Sequence, residues 1–397
     1  MATVRLKPGH VQPVWAGHPW IYAQAIDHVE PGVTAGDEVR VVDPRGNLLG
    51  RGFYTPGSAI PVRILARDET TQFDVAFFRA RFEHAIALRT EMGLPSATAG
   101  QETDGYRLVH AEGDGVPGLI VDRYGDTLAV QFGTIGMKQR EAMIREALRV
   151  SVGPRAVLDR TSAQTAKMEG FDPAPGVARE GIEGPLDFSE RGLRFRIPLE
   201  LGQKTGFYFD QRSLRARVES LSHGKRVLDA YAFVGAFAMA AARGGASEVV
   251  AVEESAAAVE VGTACASANG FGDRITFVKG DARRALADGA AAFDIVITDP
   301  PRLAPTRGTR EQALIAYTKL AENACRATRP GGLVVVCSCS AVVDLAALTR
   351  ALATGSTRAN VDAVVLERWF QGPDHPVPAA FGEGLYLKAV IARVDAR

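Results

Sequence analysis

The stretch Val227-Leu228-Asp229-Ala230-Tyr231-Ala232-Phe233-Val234-Gly235-Ala236-Phe237 decides the fold. Its apolar entry ending in an acid reads as a buried strand. A turn of small residues leads into Phe237-Ala-Met-Ala-Ala-Ala-Arg243, a run of strong helix formers. Gly244-Gly245 stops the helix, and Glu248-Val249-Val250-Ala251-Val252-Glu253 reads as a second apolar strand with an acid at its tip. Strand, glycine turn, helix and acid-tipped strand make the βαβ unit of a nucleotide-binding doubly wound sheet. An ionised carboxylate only accepts hydrogen bonds, so Glu253 at that tip suits ribose hydroxyls. The same unit also serves plain packing in many α/β proteins.

The pattern continues downstream. Ile275 to Val278 is a third strand that leaves through Asp281. Phe293 to Thr298 is a fourth, followed by Asp299-Pro300-Pro301, and Gly331 to Ser340 is a fifth. A helix is expected over 311–328, and two closing strands over 361–369 and 385–394. Alternation of this kind predicts an α/β domain with a mostly parallel, Rossmann-like sheet and an antiparallel last strand. In such sheets ligands sit at the carboxyl ends of the strands. Asp229, Glu253, Asp281, Asp299 and Cys339 all fall there.

Upstream the chain reads differently. Residues 1–70 are short strands broken by turns, consistent with a small OB-like or PUA-like barrel. Trp20 and Tyr22 could stack on bases there or fill the barrel's core. Residues 71–185 form a central α+β domain. Its first helix spans about 74–92, hairpin-like strands lie between 106 and 132, and another helix runs over 137–150. Pro173-Ala-Pro-Gly176 reads as a linker or loop. The third domain is 186–397.

Composition bounds the rest. The 397 residues are 46% hydrophobic and 23% charged, ordinary for a globular enzyme of two or three domains. Lys plus Arg and Asp plus Glu both number 46, so no global basic field advertises a nucleic-acid partner. No apolar run approaches the roughly 18 residues of a membrane span, and no signal pattern opens the chain. A cytoplasmic setting is expected. The four cysteines offer no disulfide framework. Cys337-Ser-Cys339 has no partners at zinc-like spacing, so no metal is expected.

The turn that keeps Asp229 and Gly235 but lacks G-x-G-x-x-G resembles motif I of S-adenosylmethionine-dependent methyltransferases. That cofactor has no pyrophosphate, so one close backbone approach is enough. Asp299-Pro-Pro resembles their motif IV loop, found in enzymes acting on nitrogen or on nucleobase carbon. Cytosine C5 is too weakly nucleophilic to take a methyl group directly. A thiolate must first add at C6, with an acid near N3. Cys339 at a strand exit suits that task, whereas Cys265, Cys325 and Cys337 read as buried small hydrophobes. Cys339 as a structural residue is the alternative.

Longer blocks extend the resemblance to the whole chain. They are Lys7-Pro-Gly-His10, Gly17-His-Pro-Trp-Ile21, Asp104 to Glu112, Asp114-Gly-Val-Pro-Gly118, Gly202-Gln-Lys-Thr-Gly-Phe-Tyr-Phe-Asp-Gln-Arg212, Pro330-Gly-Gly332, Ser338-Cys-Ser340, Asp374-His-Pro-Val377 and Glu383 to Lys388. Together they resemble the class I methyltransferases related to bacterial 23S rRNA 5-methylcytosine methyltransferase I. That resemblance implies S-adenosyl-L-methionine as methyl donor, large-subunit (23S) rRNA as substrate, and an N-terminal PUA domain that helps to dock it. It implies Cys339 as nucleophile and Asp299 as base-polarising acid. Cofactor contacts are implied at Asp229, Tyr231, Phe233, Gly235, Glu253, Asp281, Ala282 and Asp299, with Lys204, Thr205, Phe209 and Gln211 alongside. Ala236 and Arg302 depart from the family's usual glycine and lysine. An N-methyltransferase acting on guanine or a small molecule, or an RNA-binding protein without turnover, are the competing readings. A homodimer through the α/β domains is compatible with the sequence, which does not decide oligomeric state.

Overall fold

The computed structural model describes residues 1–172, 184–201, 205–289, 291–303 and 310–397. The proline-rich 173–176 stretch and Lys204 lie outside these. The described residues gather into two compact units. One comprises Met1–Gly192, Ile197–Phe209 and Pro373–Gly384; the other comprises Leu193–Arg196, Asp210–Gly372 and Leu385–Arg397.

The first unit opens with strands β1 (Ala2–Leu6), β2 (Trp20–Ile21), β3 (Ile26–Val29), β4 (Glu38–Val42), β5 (Leu48–Tyr54) and β6 (Val62–Ala66). They form one sheet in the order β2-β6-β5-β4-β1-β3, parallel only between β1 and β4. Alternation along β4 turns Val39 and Val41 inward, where they meet Val4, Leu6, Leu49, Val62 and Ile64. Trp20 and Tyr22 are half-buried in this unit. The Trp20 ring packs on Phe381 at 4.5 Å and its Nε1 donates to Glu112, while the Tyr22 hydroxyl donates to Glu383. The Tyr22 ring meets those of Trp20 and His18, so both rings are held by neighbours within this unit.

A second core follows. The expected helix forms over Val75–Glu91, capped by the Asp74 carboxylate accepting from the Phe77 amide at 2.9 Å. Phe78, Phe82 and Ala85 recur at helical spacing and are fully buried. They pack with strands β7 (Gly105–His110), β8 (Leu119–Tyr124), β9 (Thr127–Phe132) and β10 (Ala156–Asp159), ordered β10-β9-β8-β7. The helix expected over 137–150 is instead two, Ile135–Gln139 and Glu141–Val152, because Arg140 between them leaves helical geometry at φ −100°, ψ 13°.

Buried charge ties this core to the 373–384 segment. Arg89 is wholly buried and bidentate on Asp114, at 2.6 and 2.9 Å, and its guanidinium also donates to the Asp374 and Arg107 carbonyls. Arg107 pairs with Asp122 in the same way, and its amide donates to the buried Asp374 carboxylate. Removing one partner leaves an uncompensated interior charge. Arg89→Met is therefore expected to cost about 3–5 kcal/mol, measured by denaturant unfolding, with Asp114→Asn in the same background recovering part of the loss.

Strands β11 (Leu186–Glu190) and β12 (Leu193–Ile197) lead to the second unit. Its sheet contains β13 (Arg226–Ala230), β14 (Glu248–Glu253), β15 (Ile275–Lys279), β16 (Phe293–Thr298), β17 (Thr328–Ser338), β18 (Val361–Phe370) and β19 (Lys388–Ala396). The order is β15-β14-β13-β16-β17-β19-β18. β13 to β17 are parallel, and the last strand, β19, inserts antiparallel between β17 and β18. The chain builds outward from β13 through β14 to β15, then returns to β13's other edge with β16. That reversal opens a crevice at the carboxyl ends of β13 and β16. This is the expected α/β sheet. Among the described residues no helix is long and apolar enough to cross a membrane.

Candidate active site

The turn after β13 is wound by alternate left-handed residues: Tyr231 at φ 69°, Phe233 at φ 51° and Gly235 at φ 76°. Left-handed backbone at non-glycine residues is uncommon and must be held by its surroundings. Two bonds from β14 hold it. The Ala232 amide donates to the Val252 carbonyl and the Phe233 amide to Glu253 Oε2, both at 2.9 Å. The other Glu253 oxygen accepts from the Ser255 amide at 2.9 Å. Glu253 thus latches the turn, and its carboxylate keeps lone-pair directions for further donors.

Gly235 has a second reason to be glycine. A Cβ there would lie 2.4 Å from Cζ of Phe277, whose ring fills the space beneath the turn. Gly235→Ala is expected to cost about 2–4 kcal/mol from overpacking and the left-handed backbone. Chemical unfolding checks this, and Phe277→Leu in the same background should restore part of it.

Asp229 ends the buried part of β13, is 1% exposed, and accepts from the Ala238 amide at 3.0 Å at the start of the helix Ala236–Arg243. Burial pushes its carboxyl up to about 8, and the charges of Asp299 and Glu253 push the same way. The Ala238 amide and Arg215 oppose them. Burial also raises the Tyr231 phenol to about 12. Asp281 caps the helix Ala282–Asp288 by accepting from the Arg283 amide at 2.8 Å. It also pairs with the Arg283 side chain, which together with the cap holds its carboxyl below the usual range. Ala282 is buried behind it.

Asp299 follows β16 and is half-buried; its Oδ2 accepts from Nε2 of the buried Gln211 at 3.0 Å. β17 lies beside β16 with Thr298 opposite Val336, so Cys339 leaves the sheet next to the Asp299 loop. Cys265, Cys325 and Cys337 are buried, and Cys339 alone of the four is partly exposed. Burial raises the Cys325 thiol to about 12 and Cys337 well above its ordinary value.

Asp229, Tyr231, Phe233, Gly235, Glu253, Asp281, Ala282, Asp299, Gln211 and Cys339 therefore belong to one end of one sheet. Thr205 and Phe209 belong to the first unit. The Thr205 hydroxyl donates to Asp122, and the Phe209 ring packs against Tyr124, Phe188 and Phe207. Both are fully buried there. Two residues of the end of the sheet had no role in the sequence reading. Phe277 gave no signal. Lys388 did give one, being a lysine that opens the apolar run Leu387-Lys-Ala-Val-Ile391.

Residues 173–388 match the S-adenosylmethionine-dependent methyltransferase family. The chain belongs to that family. Residues 4–67 match a PUA-like domain. Over 397 residues the chain is 32% identical to a ribosomal RNA large subunit methyltransferase I of Shewanella denitrificans, covering 98% of this chain and 99% of the relative. A protein of the same name from Photobacterium profundum is 33% identical over 393 residues, with 97% and 98% covered. A SAM-dependent methyltransferase structure from Streptococcus mutans superposes with a TM-score of 0.81 at 18% identity. It covers 99% of this chain and 100% of the other, a likeness of fold.

This methyltransferase uses S-adenosylmethionine, and the acids at the end of its sheet fit that cofactor. Burial raises Asp229, and the neighbouring charges of Asp299 and Glu253 add their repulsion to it. A ligand carrying a sulfonium and an ammonium relieves that repulsion, which an anionic dinucleotide would worsen.

Proposed function

We propose that this methyltransferase acts on carbon 5 of a cytosine in large-subunit ribosomal RNA, with Cys339 as nucleophile and Asp299 as the acid beside the base. The observation that carries the reading is the one accessible thiol at the exit of β17, beside the Asp299 loop. The names of the relatives matched along nearly their whole length favour ribosomal RNA. Division into segments 1–70, 71–185 and 186–397 fits it, the first helping to dock RNA.

Bound S-adenosylmethionine supplies an electrophilic methyl group. Asp229, Glu253 and Asp281 would hold the cofactor, with Tyr231, Phe233 and Gly235 shaping the turn against it. The Cys339 thiolate would add to C6, and the displaced C5=C6 electron pair would be taken up through the ring towards N3, where Asp299 in its protonated form would donate a hydrogen bond, leaving C5 nucleophilic. Gln211 fixes the Asp299 carboxyl group for that contact. Once C5 had taken the methyl group, with the demethylated cofactor as leaving group, solvent water would accept the C5 proton, its bonding pair would re-form the C5=C6 double bond, and the C6–S bond would break to return the thiolate.

The test is ribosomal RNA from a strain lacking its own modification, incubated with labelled S-adenosylmethionine and digested to nucleosides. Label in 5-methylcytidine is expected. Label in a guanine nucleoside would sink the cytosine reading.

A further inference from the structure

Lys388 is the first residue of β19, opposite Ser338 on β17 and Phe370 on β18. It is 4% exposed. Its Nζ donates to the Ser340 carbonyl at 2.7 Å, and so reaches the residue immediately after Cys339. A buried lysine with no carboxylate in direct contact among the described residues is costly, and in a merely structural position an apolar residue would serve better. Among described residues, the charged and titratable neighbours acting on the ammonium are Cys339 and Asp344, which favour it, and Arg302, which opposes it.

We propose that Lys388 is a positioning residue for Cys339. Its ammonium pins the 338–340 exit turn through the Ser340 carbonyl and keeps a positive charge beside the Cys339 sulfur, so that the thiol ionises more readily. A neighbouring cation is a general means of stabilising a thiolate. Burial brings Lys388 itself down to about 8, so the charge is present at neutral pH and is lost as pH rises through that value. Lysine and thiol then titrate as a coupled pair. A role in methyl transfer rests on Cys339 being the nucleophile, whereas the charge pairing does not.

The test measures iodoacetamide labelling of Cys339 against pH, resolved by peptide mass spectrometry, in the intact 397-residue chain. Lys388→Met is expected to slow labelling at pH 7 about tenfold and to move the profile up by roughly one pH unit. Lys388→Arg should restore most of the rate, since it keeps the charge. Profiles that superimpose for parent and Lys388→Met would overturn the proposal.

Should Lys388→Met fail to fold, the reciprocal measurement decides. Cys339→Ala should lower the Lys388 titration followed by ε-carbon NMR, and an unchanged titration overturns the pairing equally well. A shifted labelling profile together with full turnover in Cys339→Ala supports the pairing and removes only the nucleophile assignment.

Discussion

Replacing Cys339 by alanine is expected to lower methyl transfer by at least about 10³-fold, while cofactor affinity stays within about twofold. The asymmetry follows from position. The acids expected to hold the cofactor extend from β13, β14, β15 and β16, whereas Cys339 leaves β17 beyond them. The side chain is partly exposed, so truncation leaves no sealed cavity and the fold should persist. Single-turnover rates with ribosomal RNA and calorimetric titration with the cofactor separate the two effects. Retained turnover in Cys339→Ala would place the chemistry on nitrogen, where no covalent adduct is needed. Matching losses of turnover and of cofactor affinity would mark Cys339 as structural.

The second large effect lies at Asp229. Burial raises its carboxyl to about 8 in the folded chain, against the ordinary carboxylate value when unfolded. Below about pH 4 both states are protonated and there is no penalty. As pH rises towards 8 the unfolded chain loses this proton and the folded chain keeps it, so folding is progressively disfavoured. Asp229→Asn removes that penalty and can still accept from the Ala238 amide. The variant is expected to be more stable than the parent at pH 8, on the order of a few kcal/mol, with the difference vanishing near pH 4.

Function should move the other way. A cationic cofactor favours the ionised carboxylate, so binding at pH 7 should release a proton and parent affinity should rise with pH up to about 8. Asp229→Asn should bind about 10²-fold more weakly and lose that pH dependence. Calorimetry in buffers of different ionisation heat measures the proton, and thermal melts across pH measure the stability. A variant no more stable at pH 8, with no proton released by the parent, would sink this account.

Much of the α/β unit was legible because its signals are local. Apolar strands ending in Asp229, Glu253 and Asp299, each followed by a turn and a helix, specify βαβ units, whose handedness and strand direction are fixed by backbone chirality. The acids then fall at the ligand-binding ends of the strands whatever the loops do. Cys339 was legible for the same reason, since its distance from the end of an apolar run separates it from Cys337.

The helix over 137–150 shows the limit. Its apolar spacing is continuous through Arg140, and only the packed structure breaks it there. Asp281 is a local case, because its helix cap needs only the Arg283 amide two residues away. Thr205 and Phe209 lie in a block that signals the family, yet their partners Asp122, Tyr124 and Phe188 come from strands brought near only by folding.

What the sequence alone determined, then, was the order of elements, the acid-tipped strands and the accessible thiol, because each follows from patterns spanning a few residues. What only the tertiary structure decided was who meets whom across long separations. Phe277 lies under Gly235, Gln211 holds Asp299, Glu253 latches the turn of the preceding strand, and Lys388 stands beside the exit of Cys339. Those contacts depend on strand order and register. Both are set by burial of the whole sheet, and no short stretch of chain encodes them.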